Sequence, residues 1–393
     1  MIEIEEALNI VLNSVQSILK SERIDFADSL GRFLAEDVTS DINMPPFDKS
    51  AMDGYACRRE DLGSELQVID VIPAGKVPEK SIGKSQCAKI MTGAIVPEGA
   101  NCVIMIEYTE EIGDNSIRFT FDHTNNNICY FAEDIKNGDL VLEKGIKIKP
   151  QHIAMMASVG YTRPFVFKQP KVGIISTGDE LVEPDIFPGK SQIRNSNGHQ
   201  LVAQVKRVGA IPDYVGIAED SEEVTYNTIS KTLNKNDIVL LTGGVSMGDF
   251  DFVPEIMVKC GVDIKFKSLA VKPGKPTIFG TFNNDKFIFG LPGNPVSSYT
   301  QFEILVKPLI GKLMGASEIE QLIKLPMGIE YSRRKSFRKS FIPVNISNDG
   351  KVYPIEYHGS AHIHSYVNAY GIISIDIGKE KLEIGELVDV RQI

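Results

Sequence analysis

Four short loops between positions 177 and 298 gather the residues most able to do chemistry. Thr177-Gly178-Asp179-Glu180 sets a hydroxyl and two carboxylates around a glycine. The stretch from Gly243 and Gly244 through Ser246, Gly248, Asp249 and Asp251 joins three glycines to a hydroxyl and two more carboxylates. Lys272-Pro273-Gly274-Lys275-Pro276 supplies two cations, and Pro292-Gly293-Asn294-Pro295-Val296-Ser297-Ser298 a proline-bounded turn with two hydroxyls. Glycines let backbone N–H groups approach an oxyanion with no Cβ in the way. Carboxylates just beyond such a loop suit a hard divalent cation that bridges phosphate oxygens.

A glycine-rich turn with solvated aspartates is common, so no one of these loops is diagnostic. Their combination points to a phosphate or another oxyanion bound together with a cation, with charge stabilisation as the main catalytic device. Lys272 and Lys275 would neutralise the anion, while Glu180 and Asp251, with Asp249 beside them, would hold the metal. The chain has no Gly-x-Gly-x-x-Gly and no Gly-x-x-x-x-Gly-Lys-Ser/Thr, so neither a dinucleotide fold nor a P-loop is indicated. No Ser-His-Asp or Cys-His nucleophile set is evident. Residue chemistry alone stops at cleavage or transfer of a phosphate-linked group.

Strands and helices must position these loops, and from Lys171 the pattern is strand–helix alternation, the mark of an α/β unit with a parallel sheet. Strands are predicted at 171–176, 211–217, 237–242, 264–271 and 287–291. Helices are predicted from Ser196 or Asn197 to about Val208, with Gly209 as terminator, and from Asp220-Ser221 through Leu233. Asn294 and Pro295 read as the N-cap and first residue of a further helix. Ligands of open α/β sheets sit outside the carboxyl ends of the strands, and all four loops fall at or beside such ends.

The flanking segments differ in texture. Residues 3–19 carry apolar positions at helical spacing, and 29–35 reads as a second short helix. From 47 to 134, β-like runs at 67–72, 101–107 and 116–121 alternate with Gly, Pro, Asn and Asp, as in a small β-rich domain. Period-two runs at 341–346, 352–357, 372–377 and 387–390, with an Asn348-Asp349-Gly350 turn, predict a C-terminal β-barrel. The basic run Arg333, Arg334, Lys335, Arg338, Lys339 reads equally as a solvated face. The expected organisation is a mixed helical linker domain (1–46 with 135–169), a β-rich domain (47–134), an α/β domain (170–325) and the barrel (326–393).

At 393 residues the chain exceeds what one core fills. A net charge of −10 argues against nucleic acid or an anionic membrane surface as partner, so any anionic ligand needs local basic residues. The five cysteines are scattered without metal spacing and read as free thiols of a reducing compartment. The opening Met-Ile-Glu-Ile-Glu-Glu is too acidic for a signal or transit peptide, and no apolar run reaches membrane-spanning length, so a cytoplasmic protein is expected.

Two further loops, Ser50-Ala51-Met52-Asp53-Gly54-Tyr55-Ala56 and Met91-Thr92-Gly93-Ala94, read alone as capped turns. Taken in order with Ser176-Thr177-Gly178-Asp179-Glu180-Leu181, Gly243-Gly244-Val245-Ser246, the two-lysine loop and Leu291-Pro292-Gly293-Asn294-Pro295-Val296-Ser297, they resemble the molybdopterin molybdenumtransferases, which include the C-terminal domain of gephyrin. The resemblance spans nearly the whole chain. It implies an elongated homodimer of four-domain subunits, the third α/β like a molybdopterin adenylyltransferase and the last a β-barrel. It implies a reaction in molybdenum cofactor biosynthesis in which molybdate is inserted into adenylylated molybdopterin (molybdopterin-AMP) and AMP is released, with Mg²⁺.

By that likeness Asp53, Thr92, Glu180, Asp220 and Asp251 fall on catalytic positions, with Glu180 and Asp251 toward the metal. Ser246, Lys272, Lys275, Ser297 and Arg338 fall on molybdate- or pterin-contacting ones, among loops that also present Thr177, Gly178, Gly243, Gly244, Pro292 and Pro295. The molybdopterin adenylyltransferase of the same pathway is the implied partner. The usual Asn-hydrophobic-Arg-x-x-Gly-Glu-Asp is here Asn127-Ile128-Cys129-Tyr130-Phe131-Ala132-Glu133-Asp134, with Cys for Arg and Ala for Gly, and the usual Gly-Arg is Phe337-Arg338. Two other readings stand beside this one: an adenylyltransferase, which the 47–134 domain and the barrel oppose, and a gephyrin-like scaffold, which would not need these acids and lysines.

Overall fold

A computed structural model describes residues 1–244, 253–317, 322–356 and 359–393. Ser246, Asp249 and Asp251 lie outside the described residues. The chain forms two compact units: 37–143 with 154–162, and the remainder.

The smaller unit is built on a six-stranded sheet of β1 (Gly54–Cys57), β2 (Glu65–Ile72), β3 (Gln86–Ile90), β4 (Cys102–Met105), β5 (Thr109–Ile112) and β6 (Ser116–Phe119), in the order β4-β1-β3-β2-β6-β5. Only β2 and β3 run parallel. Both faces are buried: Tyr55, Cys57, Cys87 and Ile104 pack on one side, Ala56, Ala88, Ile90 and Val103 on the other. Gly54 is needed where β1 meets β4, because a Cβ there would lie 1.9 Å from the Ile104 carbonyl oxygen.

The larger unit opens with α1 (Ile4–Asn13), shorter than its apolar pattern predicts; Val15 and Leu19 still pack on the core after the helix ends. The helix predicted at 29–35 is absent. Gly31 has φ +79°, the Leu34 N–H donates to Ile146 O and the Ala35 N–H to Phe165 O, so these residues are extended and bridged instead.

The α/β sheet contains β7 (Lys171–Thr177), β8 (Ile211–Ala218), β9 (Ile238–Thr242), β10 (Asp263–Phe266), β12 (Ile278–Phe282) and β13 (Lys286–Leu291), in the order β8-β7-β9-β13-β12-β10. The first four are parallel, β12 is antiparallel to β13, and β10, antiparallel to β12, runs in the direction of the first four. In β9, Ile238 and Leu240 face one core while Val239 and Leu241 face the other, so an uninterrupted apolar run is what this central strand requires. Between the parallel strands run α2 (Ser196–Arg207), capped by Asn195, and α3 (Glu222–Lys235), capped by Ser221. Helix α4 (Val253–Lys259) precedes β10, and α5 (Pro295–Gln301) leads through a buried π-helical turn, Phe302–Val306, into α6 (Lys307–Leu313).

The predicted strand 264–271 is divided. Its end, β11 (Val271–Lys272), leaves the α/β sheet and pairs in parallel with the strand Lys339–Ile346 of the C-terminal sheet. That sheet contains β14 (Leu322–Pro326), β16 (Lys339–Ile346), β17 (Val352–Pro354), β18 (Gly371–Ile375) and β20 (Leu387–Gln392); β15 (Tyr331–Ser332) and β19 (Lys381–Leu382) form a separate pair. It runs β11-β16-β18-β20-β14, and a bridge from Met327 to Val352, beyond β14, closes it through β17 into a barrel.

Candidate functional site

The parallel strands end at one edge, and their loops meet there. The backbone N–H of Asp220, beyond β8, donates to Asp179 Oδ1 at 3.1 Å, tying this loop to the one after β7. Glu180 and Asp220 are both exposed at this edge. Gly243, beyond β9, has φ +96°, and a Cβ on it would sit 2.2 Å from Thr177 O, so only glycine lets this loop cross the end of β7. The Gly243 N–H donates to Leu291 O at 3.3 Å, joining the loop to β13.

Beneath these crossings lies Asn197 of α2, a residue that sequence reasoning weighed only as a helix cap. Its Nδ2 donates to Thr242 Oγ1 at 2.9 Å and to Gly293 O at 2.7 Å, pinning the β9 and β13 loops together. Asn197 Oδ1 and Thr177 Oγ1 are buried and take no protein partner among the described residues. Thr177, Gly178, Gly243, Gly244 and Pro292 are thus brought to one edge, with Pro295 and Ser297 in the helix that leaves it. Ser297 is buried.

Lys272 and Lys275 are placed differently from expectation. Their loop is not at the end of a parallel strand, because β11 belongs to the barrel; it rests against α5 instead. Gln301, fully buried, donates from Nε2 to Pro273 O at 3.1 Å. Its side chain also occupies the space a Cβ on Gly274 would need, 2.3 Å from Nε2. Lys272 then lines a cavity of about 490 Å³ in the barrel with Arg333, Arg334, Lys335 and Arg338, and no acidic side chain lines it among the described residues. Arg338 Nη1 donates to Val271 O at 3.4 Å, and its guanidinium lies over the Phe337 ring, 5.2 Å from the centroid. Lys275 is exposed and is not in this wall.

In the smaller unit Asp53 and Thr92 are partners. Asp53 Oδ1 accepts from the Thr92 N–H at 2.6 Å and from its hydroxyl at 2.9 Å. These donors, the backbone one first, hold the Asp53 carboxyl below its ordinary value. The same unit has a cavity of about 660 Å³ lined by Lys49, Cys129, Glu133 and Asp134. Ala132 stands next to it at φ +57°, and its N–H donates to Pro45 O at 3.0 Å.

Oxygen donors at this edge fit a hard cation. Magnesium is commonly held by one or two carboxylates, with phosphate oxygens and water completing its shell. Among the described residues no group of three or more His, Cys, Asp or Glu forms a metal site by itself, and no helix is long and apolar enough to cross a membrane.

A multidomain α/β protein whose strand-end loops gather glycines, hydroxyls and carboxylates, and whose barrel holds a basic cavity, is the class that this fold and these loops define. Comparison with known proteins narrows it. Residues 2–160 match the MoeA N-terminal region (domain I and II), 173–312 the probable molybdopterin binding domain, and 330–393 the MoeA C-terminal region (domain IV). Molybdopterin molybdenumtransferase of Staphylococcus epidermidis is 38% identical over 99% of this chain and 95% of its own length, and that of Bacillus subtilis 36% identical over 99% and 93%. The crystal structure of molybdopterin biosynthesis moeA protein from Pyrococcus horikoshii OT3 superposes with a TM-score of 0.84 at 31% identity, each chain fully covered. The chain belongs to the molybdopterin molybdenumtransferase family; it is an enzyme of molybdenum cofactor biosynthesis.

Proposed function

We propose that the chain inserts molybdate into adenylylated molybdopterin and releases AMP, with Mg²⁺ as the cation. It acts as a cytoplasmic homodimer that takes its substrate from the molybdopterin adenylyltransferase of the same pathway. The observation that carries this reading is the pairing, within one unit, of a carboxylate- and glycine-bearing strand edge with a basic cavity holding Lys272 and Arg338. An acidic protein offers an oxyanion no long-range attraction, so its capture falls to such local cations.

In this reading Lys272, Lys275 and Arg338, with Ser246 and Ser297, receive molybdate and the pterin. Thr177, Gly178, Gly243, Gly244, Pro292 and Pro295 shape the bed for the pterin and phosphates. Glu180 and Asp251 hold the cation; Asp53, Thr92 and Asp220 complete the catalytic set. The cation, when bound, would supply charge neutralisation for the phosphate oxygens. The Asp53 carboxylate, oriented by its two bonds from Thr92, is an acceptor and a negative charge in this set.

Incubating purified protein with adenylylated molybdopterin and Mg²⁺, with and without molybdate, tests the proposal. AMP should appear on chromatography only when molybdate is present. AMP release at the same rate without molybdate would overturn it.

A further inference from the structure

Arg333 is counted among the cations of the barrel cavity, but four of its five N–H donors are already taken. Nε donates to Lys379 O at 2.8 Å, Nη1 to Arg338 O at 2.7 Å and to Ser340 Oγ at 2.5 Å, and Nη2 to Asp376 O at 2.5 Å. Three of the acceptors are main-chain carbonyls and one is a hydroxyl. The backbone adds two links across the same gap, Arg333 N–H to Glu380 O at 2.9 Å and Gly378 N–H to Ser336 O at 2.8 Å. Residues 333–340 are thereby closed into a ring by their own first side chain and fastened to the turn at 376–380.

We propose that Arg333 is a positioning residue for Arg338: it does not meet the anion, but fixes the main chain at Arg338 so that this guanidinium stays in the cavity wall with Lys272. This rests on the reading that Lys272 and Arg338 face the oxyanion. The planar guanidinium fork is what the task requires, since its fixed donors reach acceptors on several segments at once. A lysine keeps the charge but has one nitrogen and cannot span them.

Charge and position are therefore separable. Arg333→Lys should raise the molybdate concentration for half-maximal AMP release roughly tenfold, the scale expected when one hydrogen bond to a charged group is lost, with kcat within about twofold. Arg338→Ala should raise it at least as much. The double variant should be no worse than Arg338→Ala, because both changes disable one contact. If Arg333→Lys matches the unsubstituted enzyme, Arg333 acts only through charge and the inference is overturned.

A measurement on the unsubstituted protein avoids dependence on folding of the variants. Phenylglyoxal labelling read by mass spectrometry should modify Arg338 and spare Arg333, with molybdate protecting Arg338. Labelling of Arg333 that molybdate suppresses would make it a ligand and overturn the inference. If instead Arg338→Ala leaves the molybdate requirement unchanged and molybdate protects no arginine, the oxyanion reading itself fails, and the inference falls with it.

Discussion

Gly54→Ala is the sharpest test of how the smaller unit positions its acid. The added Cβ would lie 1.9 Å from Ile104 O and 2.9 Å from its carbonyl carbon, where ordinary contact begins at 3.4 Å. Both neighbours are main-chain atoms of β4 that no rotamer change can move aside. Strands β1 and β4 must part locally by about 1.5 Å, the shortfall of the oxygen contact, since cores tolerate little overlap. Gly54 faces Met105 across this ladder, and the next link, Ile106 N–H to Asp53 O at 3.1 Å, would stretch beyond hydrogen-bonding range.

Loss of two ladder bonds at about 1 kcal/mol each, with about 1–3 kcal/mol of overpacking, gives a destabilisation of roughly 3–5 kcal/mol. At a urea dependence of roughly 2 kcal/mol per molar, the unfolding midpoint of this unit should fall by about 2 M. The chain has no Trp, so hydrogen exchange read by mass spectrometry is the suitable assay: peptides covering β1 and β4 should lose protection while those covering β9 and β13 keep theirs. Asp53 adjoins the displaced residue, so AMP release should fall as well. A variant within about 1 kcal/mol of the parent and fully active would refute the close-approach argument.

Ala132→Gly should stabilise the smaller unit by about 0.5–1 kcal/mol, because an L residue in left-handed backbone costs roughly 1–2 kcal/mol and the greater freedom of unfolded glycine offsets only part of that; a lower urea midpoint would contradict it. Thr92→Val should raise the Asp53 pKa toward its ordinary 3.8, only in part because the Thr92 N–H still donates, as carboxyl-carbon NMR titration would read. A folded pKa below the unfolded one stabilises above the unfolded value and loses that contribution as pH falls through the folded one, so the variant should lose less stability than its parent between about pH 4 and the folded pKa. Lys272→Ala should raise the molybdate requirement more than Lys275→Ala, since only Lys272 stands in the cavity wall with Arg338; the reverse order would place the oxyanion outside that cavity.

The elements legible in the sequence are those whose cause is local. Runs such as Ile238-Val239-Leu240-Leu241 announce a strand buried on both faces, and Ser221 announces the start of α3, because burial and capping act on neighbours in sequence. The segment at 29–35 misled because its apolar spacing is helical by accident, while Gly31 and distant carbonyls decide its backbone. Strand β11 is two residues long and exists only because β16 lies beside it, which no local pattern encodes.

The site divides along the same line. Residue types able to bind anions or cations are visible wherever they occur, so Glu180 and Lys272 stand out in their loops, whereas Asp53 and Arg338 are singled out only by the resemblance of the loops taken in order. What arranges them is not visible. Asp53 and Thr92 are 39 positions apart, and Gln301 reaches Pro273 across 28. Gln301, Asn197 and Arg333 act through whichever carbonyl the fold brings within reach, and a carbonyl belongs to every residue alike. A side chain that binds substrate is thus recognised by its chemistry, whereas one that holds the binder in place is recognised only by its address in the fold. Arg333 shows the consequence: in sequence it is one more cation in a basic run, and only its hydrogen bonds, one of them to the carbonyl of Arg338 five positions on, give it a place of its own.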